Sequence, residues 1–104
     1  MWQSVEVHFA KDHLTAAGHF PSNPIIPGAL LLDEVVKAVV EAAGSSGETV
    51  IRTAKFFKPV RPGESLHVRW QSLADGAIKF ECRLAGGDEN VAAAGTLEIG
   101  SATP

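Results

Sequence analysis

Cys82 is the chain's one cysteine, which excludes an internal disulfide framework and fits a reducing compartment. No basic stretch followed by an apolar one opens the chain. No run approaches the roughly 20 consecutive apolar residues that a membrane helix requires. A cytoplasmic protein without a membrane span is therefore expected. The four histidines, His8, His13, His19 and His67, lack the close spacing of zinc ligands, and there is no CxxC pair, so no metal is expected. Phosphate-loop, dinucleotide and GxSxG fingerprints are also missing, which leaves no cofactor implied. Acidic residues are missing between Glu48 and Glu64, where Arg52, Lys55, Lys58 and Arg61 fall within ten positions. With a net charge of −3, the rest of the chain is correspondingly acidic. A nucleic-acid binder is normally basic throughout, so the local basic run points instead to an acidic protein partner. A solvated strand face and turn would give the same run.

What is present is a soluble-type composition, 45% hydrophobic and 20% charged, in 104 residues. That length supports one domain, 1–104, with a loose tail at 101–104. A domain of this size buries only roughly 60–65% of its unfolded surface, so self-association into a dimer is expected.

Val5, Val7 and Phe9 alternate with Ser4, Glu6 and His8, the period of a half-buried strand. Residues 11–28 hold too much Pro, Gly and Asn for regular structure over much of their length. From Ala29 to Ala43 the period becomes helical. Leu30, Leu31, Leu32, Val35, Val36, Val39 and Val40 cover most of the circumference, and Asp33, Lys37 and Glu41 stack on the remainder beside Glu34. Pro27 and Gly28 suit a helix start, and the Gly44–Gly47 run stops it. Strand patterns follow: Thr49 to Lys58, then Leu66/Val68/Trp70, then Ile78/Phe80/Cys82/Leu84, then Val91/Ala93/Gly95/Leu97/Ile99. Ala74-Asp75-Gly76 reads as a hairpin. The small residues of the last strand predict a close neighbour, with the helix as the expected one. The pattern predicts an α+β fold, a central helix wrapped by an antiparallel sheet of about five strands.

One segment is unlike the rest. Gly18-His-Phe-Pro-Ser-Asn-Pro-Ile-Ile-Pro-Gly-Ala-Leu-Leu-Leu-Asp33 stiffens the approach to the helix with three prolines and places a carboxylate fourteen positions after a histidine. Taken singly, His19 reads as a loop histidine satisfied by backbone, and Asp33 as an i,i+4 partner of Lys37. Cys82 alternates onto an apolar face and reads as core.

Taken together, residues 18–33 resemble the active-site segment of the FabA/FabZ family of hot-dog-fold β-hydroxyacyl-(acyl carrier protein) dehydratases. "AKFFKPVRPGESL" (54–66) resembles that family's strand and turn after the helix. The similarity is to the short, single-domain type, including members from aryl-polyene and related acyl-chain pathways, which lacks the N-terminal extension of longer FabZ-type chains.

The resemblance implies dehydration of 3-hydroxyacyl thioesters. His19 would take the C2 proton, and its ordinary pKa leaves much of it neutral at working pH. Asp33 would protonate or hold the departing hydroxyl. The Gly28 backbone N–H would face the charge developing on the thioester oxygen. Phe20, Ile25, Ile26 and Leu30 would line an acyl tunnel. Arg52, Lys55, Lys58 and Arg61 would dock the acyl carrier protein. The two catalytic residues would come from different subunits of a homodimer, or of a higher assembly of dimers. Three departures stand out: Asp in place of the FabZ-type Glu, Ser22 for the usual loop glycine, and Lys37 where many members have Gln. A Lys37 pair would lower the Asp33 pKa, whereas burial would raise it. Three other readings stay open: an enoyl-CoA hydratase, a hot-dog thioesterase, and a non-catalytic acyl-chain-binding or scaffolding subunit.

Overall fold

Amphipathic strands joined by short turns pair antiparallel, and the computed structural model follows that rule throughout. It describes residues 2–9, 25–44, 48–85 and 90–100. The strands are β1 (Gln3–His8), β2 (Thr49–Phe56), β3 (Ser65–Ser72), β4 (Ile78–Leu84) and β5 (Val91–Ile99); the helix α1 is Gly28–Ala43. The sheet order is β1-β3-β4-β5-β2, so β1 and β2 form the two edges.

The hairpin between β3 and β4 turns at Gly76, whose φ of 88° only glycine adopts without strain. The Leu73 N–H donates to the Ala77 carbonyl at 2.8 Å, and the Asp75 carboxylate accepts from the Ala77 N–H at 3.1 Å. That turn sets the register Val68↔Cys82 and Trp70↔Phe80. A one-residue slip would turn every one of these side chains to the wrong face. Leu66, Val68, Phe80, Cys82 and Leu97 have no exposed surface. Burying a side chain of this kind contributes about 1.5–3 kcal/mol.

The helix buries one stripe, Leu31, Val35 and Val39, at the i, i+4, i+8 spacing that shares a face. Leu30, Leu32 and Ala38 flank that stripe and pack against the core while partly exposed. Asp33, Lys37 and Glu41 are exposed. Gly44 ends the helix in the left-handed conformation, φ 65°, and its N–H returns to the carbonyls of Val40 and Glu41.

Two expectations need correction. Val5 is 40% exposed although its period marks it as inward. Among the described residues it sits on an edge strand with β3 as its only sheet neighbour, and the groove it lines, shared with Glu34, Lys37 and Glu41 of α1, is open to solvent. The close neighbour of β5 is not the helix. A Cβ on Gly95 would meet the Thr53 carbonyl oxygen of β2 and, at 2.8 Å, the Phe80 ring. The β2–β5 register shifts between Ile51 and Thr53, where the Thr96 N–H donates to the Thr53 hydroxyl at 3.1 Å. This bulge brings the β2 backbone onto the bare Cα of Gly95.

Candidate active site

Pro27 fixes the start of α1. Its carbonyl accepts from the N–H groups of both Leu30 (3.0 Å) and Leu31 (3.2 Å), and among the described residues no side chain caps the turn. The N–H groups of Gly28 and Ala29 have no intrahelical acceptor, so they present the positive end of the helix dipole. The segment before the helix is tied to the turn after β2 by the Ile26 N–H, which donates to the Val60 carbonyl at 2.7 Å. Ile26 and Val60 are both buried.

An apolar groove of about 430 Å³ opens at this helix tip. Ile25, Ile26, Gly28 and Leu31 form one side of it, and Phe56, Phe57, Lys58, Pro59 and Val60 form the other. Leu31, itself part of the buried core, lines this space; Leu30 packs against the core but does not line it. The Phe56 ring sits directly on the Cα of Gly28. Phe56 and Phe57 are 50% and 58% exposed, far more than aromatic rings with no surface role. Neither was singled out from the sequence. The signal was the Phe-Phe pair itself at the end of β2, where period two sends one ring to each face.

Asp33 lies between Leu31 and Val35, two positions from each, and so points away from their stripe. It does not line the groove of its own chain, and among the described residues it forms no ion pair with Lys37. His19 and Phe20 lie outside the described residues, as do His13 and Ser22. The remaining histidines sit on the β1–β3 edge. His8 Nδ1 is 3.2 Å from the Ser65 hydroxyl, and His67 is 3.4 Å from Glu6, its register partner. Cys82 is buried in the core, and burial pushes its pKa up to about 12.

The four basic residues read from the sequence are all exposed, but they do not form one cluster of free charges. Arg52 donates to Glu98 at 2.8 Å, and that hydrogen bond together with the carboxylate's charge holds its pKa above the ordinary arginine value. Lys55 is on β2, Lys58 donates to the Asn90 side-chain carbonyl, and the Arg61 N–H donates to the Glu64 carboxylate at 2.7 Å. The sheet face away from the helix carries more: Arg69, Lys79 and Arg83. Glu81 accepts from Arg69 at 2.8 and 3.1 Å and from Arg83 at 3.2 Å. Burial raises the Glu81 pKa, but the hydrogen bonds and charges of Arg69 and then Arg83 outweigh it, so the carboxyl lies below its ordinary value. Among the described residues no helix is long and apolar enough to cross a membrane, and no group of three or more His, Cys, Asp or Glu is placed to hold a metal.

One helix lying on a five-stranded antiparallel sheet, with its bare N terminus opening on an apolar groove, defines a hot-dog fold. Residues 3–96 match the model of the ApeI-like family, described as ApeI dehydratase, and the chain belongs to that family. A curated relative, the 3-hydroxyacyl-(acyl-carrier-protein) dehydratase FabZ of Wolbachia pipientis subsp. Culex pipiens, is 37% identical over 90 residues, covering 77% of this chain and 63% of the relative. The chain thus spans less than two thirds of that relative's length. Two solved structures share the fold at 23% identity. One is an uncharacterized protein from Erwinia carotovora subsp. atroseptica, with a TM-score of 0.80 over 99% of this chain and 86% of that one. The other is the dehydratase heterocomplex ApeI:P from Xenorhabdus doucetiae, with a TM-score of 0.76 over 94% and 86%.

Proposed function

We propose that the protein removes water from 3-hydroxyacyl thioesters carried on acyl carrier protein, giving trans-2-enoyl thioesters. The observation that carries this reading is the helix N terminus, uncapped among the described residues, at the mouth of an apolar groove. Dehydration develops charge on the thioester oxygen while the acyl chain must be kept from water. Fixed N–H donors at Gly28 and Ala29 stabilise that charge where it forms, and the groove of Ile25, Ile26 and Leu31 takes the chain. The FabZ relatives and membership of the ApeI dehydratase family support the same chemistry.

His19 is the base that takes the C2 proton, and Asp33 the acid that holds the departing hydroxyl. A positioned base contributes roughly 10²–10⁴ in rate. Asp33 is exposed and faces away from the groove of its own chain, which supports a homodimer in which it serves the partner's groove. β2, an edge strand carrying the 53%-exposed Val50, supports such pairing. The basic side chains Arg52, Lys55, Lys58 and Arg61 favour an acidic carrier protein over coenzyme A as the bearer of the thioester.

The test is incubation of the purified protein with 3-hydroxyacyl thioesters on carrier protein and on coenzyme A, followed by mass spectrometry. Loss of one water, fastest on carrier protein, is expected. No conversion on either carrier would reject the reading.

A further inference from the structure

The outer side of β1 meets no strand among the described residues. The Phe9 N–H donates to the Glu64 carbonyl at 3.3 Å, and the Phe9 carbonyl accepts from the Gly63 N–H at 2.6 Å. Backbone bonds alternate along an antiparallel strand, so Gln3, Val5 and Val7 also turn theirs toward β3. The N–H and C=O groups of Ser4, Glu6 and His8 therefore point outward, away from the sheet.

An exposed edge is commonly blocked by proline, by a bulge or by charge. The register of β1 on β3 runs from Gln3↔Trp70 to His8↔Ser65 without a shift, no proline interrupts it, and Glu6 is the one Asp, Glu, Lys or Arg in it. Beside this edge lies a groove of about 440 Å³ whose apolar lining is Val5, Val7, Ala38, Ala42 and Trp70. Val5 is 40% exposed there. Outward backbone groups next to exposed apolar side chains fit an added strand, whose alternate side chains enter the groove.

We propose that this edge pairs with β1 of a second copy of the chain, antiparallel about a two-fold axis at Val5. The residues of β1 are complementary to themselves in that register. Ser4 faces Glu6 of the second copy, hydroxyl against carboxylate, and Gln3 faces Val7. Trp2, with the Arg69 guanidinium 4.0 Å over its ring, faces His8. Val5 meets its own copy at a position without backbone bonds, where facing side chains come closest. The neighbouring registers are poorer. Centring the pair on Glu6 sets carboxylate against carboxylate, and centring it on Ser4 leaves His8 beyond the paired stretch. The contact is isologous, so one patch serves both copies. It shares no lining residue with the groove at the helix tip and leaves β2 free at the opposite edge. It is thus separate from the homodimer proposed above, and neither contact depends on the other.

The test is oxidative cross-linking of the full chain carrying Val5→Cys, with Glu6→Cys as the control. The native Cys82 is buried and takes no part. In the proposed register the two Val5→Cys thiols face each other, whereas the two Glu6→Cys positions lie roughly 7–8 Å apart, beyond ready disulfide reach. Val5→Cys should form the disulfide dimer roughly tenfold faster than Glu6→Cys. Equal rates, or a faster Glu6→Cys, would overturn the proposal. So would a Val5→Cys that neither cross-links nor reacts with iodoacetamide, because another segment of the chain then covers the edge. A Val5→Cys that labels freely without cross-linking leaves the edge to a different protein and rejects the second copy. Two further variants test the contact without a thiol. Glu6→Pro removes an outward N–H and none that bonds β3, and Val5→Glu sets like charges against each other on the axis. Each should keep the wild-type circular dichroism, while its mass by analytical ultracentrifugation falls by roughly twofold or more. An unchanged mass in either folded variant would also overturn the proposal.

Discussion

The Phe56 ring occupies the space a Cβ on residue 28 would need: its Cζ and Cε1 atoms stand 2.8 and 2.9 Å from that position. Glycine at the helix tip therefore does two things. It lets the ring form one wall of the groove, and it leaves the first N–H groups of the helix uncovered. Gly28→Ala would push the ring aside. Because the obstacle is the half-exposed end of a side chain, the expected cost in stability is modest, about 1 kcal/mol. The larger effect should be on the groove, as a raised KM for acyl thioesters. Phe56→Leu in the same chain should recover much of that loss, and a double-mutant cycle in KM measures the coupling.

Gly95 is the contrasting case. Its missing Cβ would collide with the backbone carbonyl of Thr53, which cannot swing away. Gly95→Ala should cost about 3 kcal/mol or more, a large share of the roughly 5–15 kcal/mol that holds a domain folded. Denaturant unfolding of the two glycine variants should rank Gly95→Ala far below Gly28→Ala. The reverse order would mean that β2 and β5 are not packed as described.

Stability should depend on pH through Glu81. Its folded pKa lies below the ordinary value of 4.5, so the folded state favours the carboxylate. The stabilisation is complete above that ordinary value and is lost as pH falls from it through the lower, folded pKa. At neutral pH Glu81→Gln should lose about 2 kcal/mol, because two largely buried guanidinium groups keep a neutral carbonyl acceptor but lose the carboxylate charge between them. Unfolding midpoints measured from neutral pH into the acid range should converge for wild type and variant at the acid end.

The Cys82 thiol, with a pKa of about 12, should be almost entirely protonated near neutral pH. Iodoacetamide should therefore label it only as fast as the protein unfolds, and Cys82→Ala should keep full activity. Rapid labelling of the native protein would contradict its place in the core.

Much of the fold was legible in the sequence because its elements follow their intrinsic periods. Leu66, Val68 and Trp70 pair across to Leu84, Cys82 and Phe80, as alternation alone implies, and Gly44 stops the helix where the apolar pattern ends. What alternation cannot show is which strand lies at an edge, and so Val5 is more exposed than its period suggests. Nor can it show a bulge. The bulge near Thr53 is what gives Gly95 its neighbour, and cross-strand contact is what ties Arg52 to Glu98, 46 positions away. Within the site, the helix start at Gly28 could be read directly, whereas Ile25 and Ile26, which line the groove, were named through the family resemblance. Leu31 rather than Leu30 lines the groove, a matter of helix phase set by the sheet beneath. His19 and Phe20 lie outside the described residues, so their part in the site rests on the motif.

The central claim is that a histidine of one copy and a helix-borne carboxyl of another complete a single site. The direct measurement is complementation between His19→Ala and Asp33→Asn, each purified alone and then co-assembled as mixed dimers. Each variant alone should be inactive on 3-hydroxyacyl-carrier protein, and the mixture should recover roughly a quarter of wild-type activity, since half the dimers are mixed and each holds one intact pair. Substantial activity in either variant alone, or none in the mixture, would contradict the account.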